Sequence, residues 1–246
     1  MGSALFWGAV AGSSLLLGGA LTYVVHVRTR ALGLVMAFGA GVLISAVAYE
    51  LVAEAFATAD RGGAIALGLF AGAGVFFAGD AVLDRMGAAD RKRSSGNQAA
   101  GSALAIVLGI VLDGIPESIA LGLTILDGGG VSAAVLAAIF ISNLPESIAA
   151  STGLSASGWQ RSKITVLWVV VGVVTALSSL AGYVLFDEAS EDVVAFVLAF
   201  AAGAILTMLA DTMMPEAFQH GGRFVGLFTT LGFALAFGIS AMESGS

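Results

Sequence analysis

Asp113-Gly114-Ile115-Pro116-Glu117-Ser118-Ile119-Ala120 recurs as Ser142-Asn143-Leu144-Pro145-Glu146-Ser147-Ile148-Ala149, and each copy lies in the middle of a long apolar segment. Charge and proline are both costly in such surroundings. Carboxylates at the centre of a hydrocarbon-spanning helix are kept where they face a bundle interior or a water-filled path, so the twin motif reads as an ion site. The chain around it defines the solvent: 58% of residues are hydrophobic, 11% are charged and the mean hydropathy is +0.99. That composition, in long apolar runs, predicts an all-α integral membrane protein. The alternating short strands of a transmembrane barrel do not occur.

Breaking the chain at its polar and glycine-rich punctuation gives spans at 4–25, 32–57, 62–86, 102–126, 131–155, 163–186, 191–218 and 222–242. About eight transmembrane helices in a single domain, 1–246, are therefore expected. Each reaches the roughly 20 residues that a bilayer core requires, and abundant Gly and Ala suit close helix packing in lipid. The one extended hydrophilic stretch, 87–101, with Arg91-Lys92-Arg93-Ser94-Ser95-Gly96, reads as a flexible loop between spans 3 and 4.

Lys and Arg set the orientation, because cytoplasmic loops hold their excess. Arg28 and Arg30 follow span 1, Arg85, Arg91, Lys92 and Arg93 follow span 3, Arg161 and Lys163 flank the turn after span 5, and Arg223 follows span 7. Only Arg61 falls on the opposite side, where Asp187-Glu188-Ala189-Ser190-Glu191-Asp192 joins spans 6 and 7. Both termini are expected outside a multi-pass protein of the plasma membrane. Met1-Gly2-Ser3 carries no Lys or Arg, so the first span reads as a retained helix rather than a signal peptide.

The net charge of -7 comes partly from that acidic loop and partly from carboxylates inside the spans, and nucleic acid is not an expected partner. With no cysteine, a metal site here must use oxygen ligands or one of two histidines, His26 and His220. His220 reads as an interfacial residue, with ligation at the exit side as its alternative, and His26 as a weaker candidate still.

A second repeat is less obvious. Span 2, from Ala37-Phe38-Gly39-Ala40-Gly41 to Ala53-Glu54-Ala55-Phe56, matches span 7, from Ala199-Phe200-Ala201-Ala202-Gly203 to Pro215-Glu216-Ala217-Phe218, without a gap. The orientation sends span 2 outward and span 7 inward. Similar helices of opposite direction are the sequence trace of an inverted-repeat transporter, whose substrate site lies near the bilayer midplane at the repeat interface.

By depth, Asp113 and Glu117 fall halfway along span 4, and Ser142, Asn143 and Glu146 halfway along span 5. Asp113 and Glu117 are four residues apart, as are Ser142 and Glu146, so each pair projects from one helix face. Two such faces are expected to surround one cation. Pro116 and Pro145 leave the carbonyls of Leu112 and Ile141 without their helical donors, offering further oxygen ligands. Mid-depth carboxylates with no Lys or Arg at that depth to pair them repel unless protonated or bridged by a cation. Glu50 and Glu54 toward the outer end, and Asp80, Asp84, Asp211 and Glu216 toward the cytoplasmic end, extend a vertical route.

Pro-Glu-Ser-Ile-Ala in spans 4 and 5, with Ala-Glu-Ala in span 2 and Pro-Glu-Ala in span 7, resembles the ZIP (Zrt-, Irt-like) family of divalent metal transporters, in particular its compact bacterial and archaeal GufA-like members. The similarity covers nearly the whole chain. It implies a 3+2+3 arrangement with spans 1–3 and 6–8 as inverted repeats, and a metal centre on spans 4 and 5. Both motifs of the family usually read His-Asn-x-Pro-Glu-Gly. Here Asp113 and Ser142 stand at the His positions, Gly114 and Asn143 at the Asn positions, and Glu117 and Glu146 at the Glu positions. Span 6 lacks the carboxylate many members add, and span 7 reads Asp211-Thr212-Met213-Met214-Pro215-Glu216 where the family has His-Glu-x-x-Pro-Glu. An all-oxygen site remains, suited to Mn²⁺, Mg²⁺ or Fe²⁺ as well as Zn²⁺.

The expectation is a divalent cation transporter carrying metal inward, with no prosthetic group and the metal as substrate. No P-loop is present, so ion gradient and membrane potential would drive it. An enzyme is not expected, since the His-Glu-x-x-His of an intramembrane metalloprotease is absent. A non-transporting metal sensor or structural protein, and a proton or organic-cation transporter, stand as the alternatives; a homodimer stays open as the assembly.

Overall fold

The computed structural model describes residues 1–25, 27–59, 62–88, 103–126 and 130–244. Arg61, His26 and nearly all of the 87–101 loop lie outside the described residues. Helices make up the described chain and it contains no strand. They are α1 (Gly2–Leu21), α2 (Thr29–Thr58), α3 (Gly62–Gly87), α4 (Ala103–Leu123), α5 (Ala133–Ala156), α6 (Arg161–Phe186), α7 (191–221) and α8 (Val225–Ser244). Six helical stretches among the described residues are long and apolar enough to cross a membrane, the last running through α7 and α8. The boundaries move by a few residues from those expected. Span 1 stops at Leu21 and span 4 at Leu123, both continuing as turns, while span 6 begins two residues earlier at Arg161.

Helix ends follow local chemistry. Ser132 caps α5 by accepting from the Val135 amide at 3.2 Å. Glu191 and Asp192 occupy the first turn of α7, where the helix dipole favours negative charge. Gly222, at φ +63, breaks α7 from α8 in a conformation that disfavours a side chain.

All helices run between two ends. One gathers Glu54, Asp187, Glu188, Glu191, Asp192 and Glu243; the other gathers Arg28, Arg30, Arg85, Arg161, Lys163 and Arg223. These are called the acidic and basic ends below.

The helix pairing is symmetrical. The most extensive contacts are α2 with α7, α3 with α7 and α8 with α2; next come α1 with α6, then α4 with α6 and α1 with α5. Lesser contacts pair α2 with α5 and α4 with α7, and α5 with α8 and α3 with α4. Exchanging 1 with 6, 2 with 7, 3 with 8 and 4 with 5 maps this pattern onto itself. Glycines mark the correspondence. A Cβ on Gly41 would strike the Thr229 carbonyl, and one on Gly203 that of Leu69; likewise Gly72 meets the carbonyl of Phe200 and Gly232 that of Phe38. Small residues at these points let backbones touch, which is how helices associate where lipid removes the hydrophobic drive.

Two four-helix groups result, α1-α4-α5-α6 and α2-α3-α7-α8, with α4 and α5 lying between their own group and α7 and α2. In the first group the buried Trp168 indole donates to Ser151 Oγ at 2.8 Å, and Ser179 Oγ donates to the Ala4 carbonyl at 3.0 Å. In the second, Leu43, Met36, Met208 and Met213 fill the core. α4 and α5 touch each other only slightly.

Candidate functional site

Each motif helix continues through its proline, Pro116 in α4 and Pro145 in α5. The motif side chains are buried: Asp113 is 3% exposed, Glu117 2%, Ser142 0%, Asn143 5% and Glu146 8%. Ionised carboxylates so enclosed cost several kcal/mol each unless compensated. The hydroxyls beside them turn to their own helix: Ser142 Oγ donates to the Ile139 carbonyl at 3.1 Å, Ser147 Oγ to that of Leu144 at 3.0 Å, and Ser118 Oγ to that of Gly114 at 2.6 Å.

Gly114 of the first motif shares one small cavity with the second motif, and Glu117 borders another. Asn143, Glu146 and Gly114 line a cavity of about 20 Å³ inside the first helix group, walled by Leu15, Ile110, Ala150, Trp168 and Val171. That is room for about one water-sized particle. Gly114, which has no side chain to fill it, opens α4 toward Glu146, and this is where the two motifs come together. Glu117 instead borders a void of about 10 Å³ between the groups, against Leu43, Val47 and Leu51 of α2, Val135 and Ile139 of α5, and Ile205 of α7. α4 and α5 pack more extensively on their neighbours than on each other. Among the described residues no group of three or more His, Asp or Glu side chains forms a metal-binding cluster.

The outlying acids divide by end. Glu54 is exposed and lines a basin of about 190 Å³ with Thr58, Thr124, Asp187 and Glu191 at the acidic end. Thr58 Oγ1 donates to Glu54 Oε1 at 3.3 Å. Glu50, half-buried, accepts from Ser132 Oγ at 2.9 Å. Toward the basic end Glu216 is 3% exposed and pairs with His220, Nε2 to Oε1 3.1 Å. Asp80 is buried, whereas Asp84 and Asp211 are exposed.

Two features escaped the sequence. α2 widens into a π turn at Val47–Val52, and α7 does so at Leu209–Met213, the same place in the gapless match. π turns frequently mark functional positions; here they carry Glu50 and Asp211. His220, read as interfacial, proves to be the partner of a buried carboxylate. Its spacing of four from Glu216 was the available signal.

No family model matches the chain, and no curated protein is significantly similar to it.

Proposed function

We propose that this chain is a relative of the ZIP transporters that carries a divalent metal cation, zinc or another transition metal such as manganese or iron, across the plasma membrane into the cytoplasm. One observation carries the reading: Asp113, Glu117, Asn143 and Glu146 are buried halfway along α4 and α5, the two helices that the symmetrical pairing sets at the centre. Such groups stabilise an ion stripped of water and are costly without one.

By the positive-inside rule the acidic end faces outward. The basin around Glu54, Asp187 and Glu191 then collects cations from outside. Glu117, at the seam between the helix groups, receives the ion; Asn143 and Glu146 hold it next, and Asp211, followed by Glu216 with His220, leads to the cytoplasm. Alternating access follows if α1-α4-α5-α6 moves against α2-α3-α7-α8, since the seam is where Glu117 lies.

A proton carrier is the second reading, favoured by the lack of a cluster of three ligating side chains among the described residues. An organic cation fits poorly in about 20 Å³. Purified protein in liposomes loaded with a metal-sensing dye separates these. A metal transporter raises the signal with Mn²⁺ or Zn²⁺ outside; a proton carrier acidifies the lumen with no metal present.

A further inference from the structure

The start of α5 is tied down by two carboxylates from two other helices. Glu243, near the end of α8, accepts from the Ala133 amide at 2.7 Å and the Ala134 amide at 3.4 Å, and its Oε2 lies 3.3 Å from Ser132 Oγ. Glu50, from the π turn of α2, takes the Ser132 hydroxyl at the shorter 2.9 Å. Ser132 has one hydrogen to give. The labour is therefore divided: Glu50 holds the serine, and Glu243 holds the first amides of the helix, which no intrahelical carbonyl can reach.

The symmetry of the fold does not require this arrangement. The glycine contacts that relate α3 to α8 pair Glu243 with Leu83, the match of α2 with α7 pairs Glu50 with Thr212, and the twin motifs pair Ser132 with Ala103. In that strict register the three counterparts are not themselves carboxylate or serine, while Asp84, Asp211 and Ser102 each stand one residue away in sequence.

We propose that Glu243 is a positioning residue, a clamp that seats the acidic end of α5 on the α2–α8 pair and so fixes the setting of Asn143 and Glu146, which α5 carries. Its release frees α5 to shift. The link to ion movement rests on the transport reading above; the clamp itself does not.

Amide hydrogen exchange on the full chain in lipid nanodiscs tests it. Glu243→Gln, which removes the charge and one good acceptor, raises exchange at Ala133 and Ala134 roughly tenfold, the scale of a lost helix cap. Glu50→Gln leaves those two amides within about twofold of wild type, because it touches only the serine. A second readout uses Ala150→Cys, which places the chain's only thiol on the wall of the Glu146 cavity. In the Glu243→Gln background its labelling by a membrane-impermeant reagent speeds up on the order of tenfold. Unchanged exchange at Ala133 and Ala134, a rise spread evenly over all helices, or unchanged labelling of residue 150 would each overturn the clamp. If wild type moves no metal at all, both readouts still decide, so the two ideas fail separately.

Discussion

α2 and α7 are similar helices of opposite direction, and the carboxylate they share sits in different surroundings on each. Glu54 and Glu216 correspond in the gapless match, as do Thr58 and His220. At the acidic end Glu54 is exposed in a basin of about 190 Å³ with Thr58 on its oxygen. At the basic end Glu216 is buried with His220 on its oxygen. The two helices share their π turns and glycine contacts, so the same carboxylate on a like scaffold is open at one end and closed over at the other. In the transport reading, this is a chain open to the outside and shut to the cytoplasm, and its other working state exchanges the two environments.

The largest effect that bears on the comparison is expected at its centre. Glu146→Ala and Glu117→Ala each reduce metal uptake into liposomes by more than about a hundredfold, because each empties one of the two midplane compartments. A variant that keeps wild-type flux would detach that compartment from the route. Breaking the scaffold is the next largest. Gly41→Ala and Gly203→Ala force a methyl against a backbone carbonyl and should each lower stability by roughly 1–3 kcal/mol, to a similar extent. Thermal unfolding in detergent measures this, with Gly74→Ala and Gly238→Ala, where a Cβ meets nothing within 4 Å, as the unchanged controls. Unequal losses at Gly41 and Gly203 would break the symmetry claim.

A smaller effect sharpens the difference between the ends. Glu216→Gln slows release at the closed end and lowers the maximal uptake rate about tenfold, while Glu54→Gln, exposed in a basin that keeps Asp187 and Glu191, changes it less than about threefold. Initial rates over a range of metal concentrations distinguish the two. The smallest expected change is one of preference. Asp113→His restores an imidazole at mid-depth and should move competition between Mn²⁺ and Zn²⁺ toward zinc by about threefold to tenfold. No shift would remove position 113 from the ligand set.

Much of this architecture was legible in the residues. Long apolar runs and their glycine punctuation placed the helices to within a few residues, since a bilayer-length helix needs little beyond composition to be recognised. The match of α2 with α7 can be read in the residues, and the two helices pack in equivalent ways on α8 and α3. The relation between α4 and α5 was not legible. Motif spacing puts Asp113 with Glu117, and Ser142 with Glu146, on one face each, but it says nothing of what that face meets. Ser142 spends its hydroxyl on Ile139, and Glu117 and Glu146 look into different compartments. The role of Glu243 was equally hidden, because a carboxylate a hundred residues away in sequence reaches the α5 amides only once α8 is packed.

The most direct test of the account is metal uptake by the wild-type chain reconstituted in liposomes, measured beside Glu117→Ala and Glu146→Ala with an encapsulated dye. Saturable entry of a divalent cation that both substitutions abolish is the expected result. Entry that is undiminished in both variants, or a wild-type chain that passes no divalent cation, would contradict it.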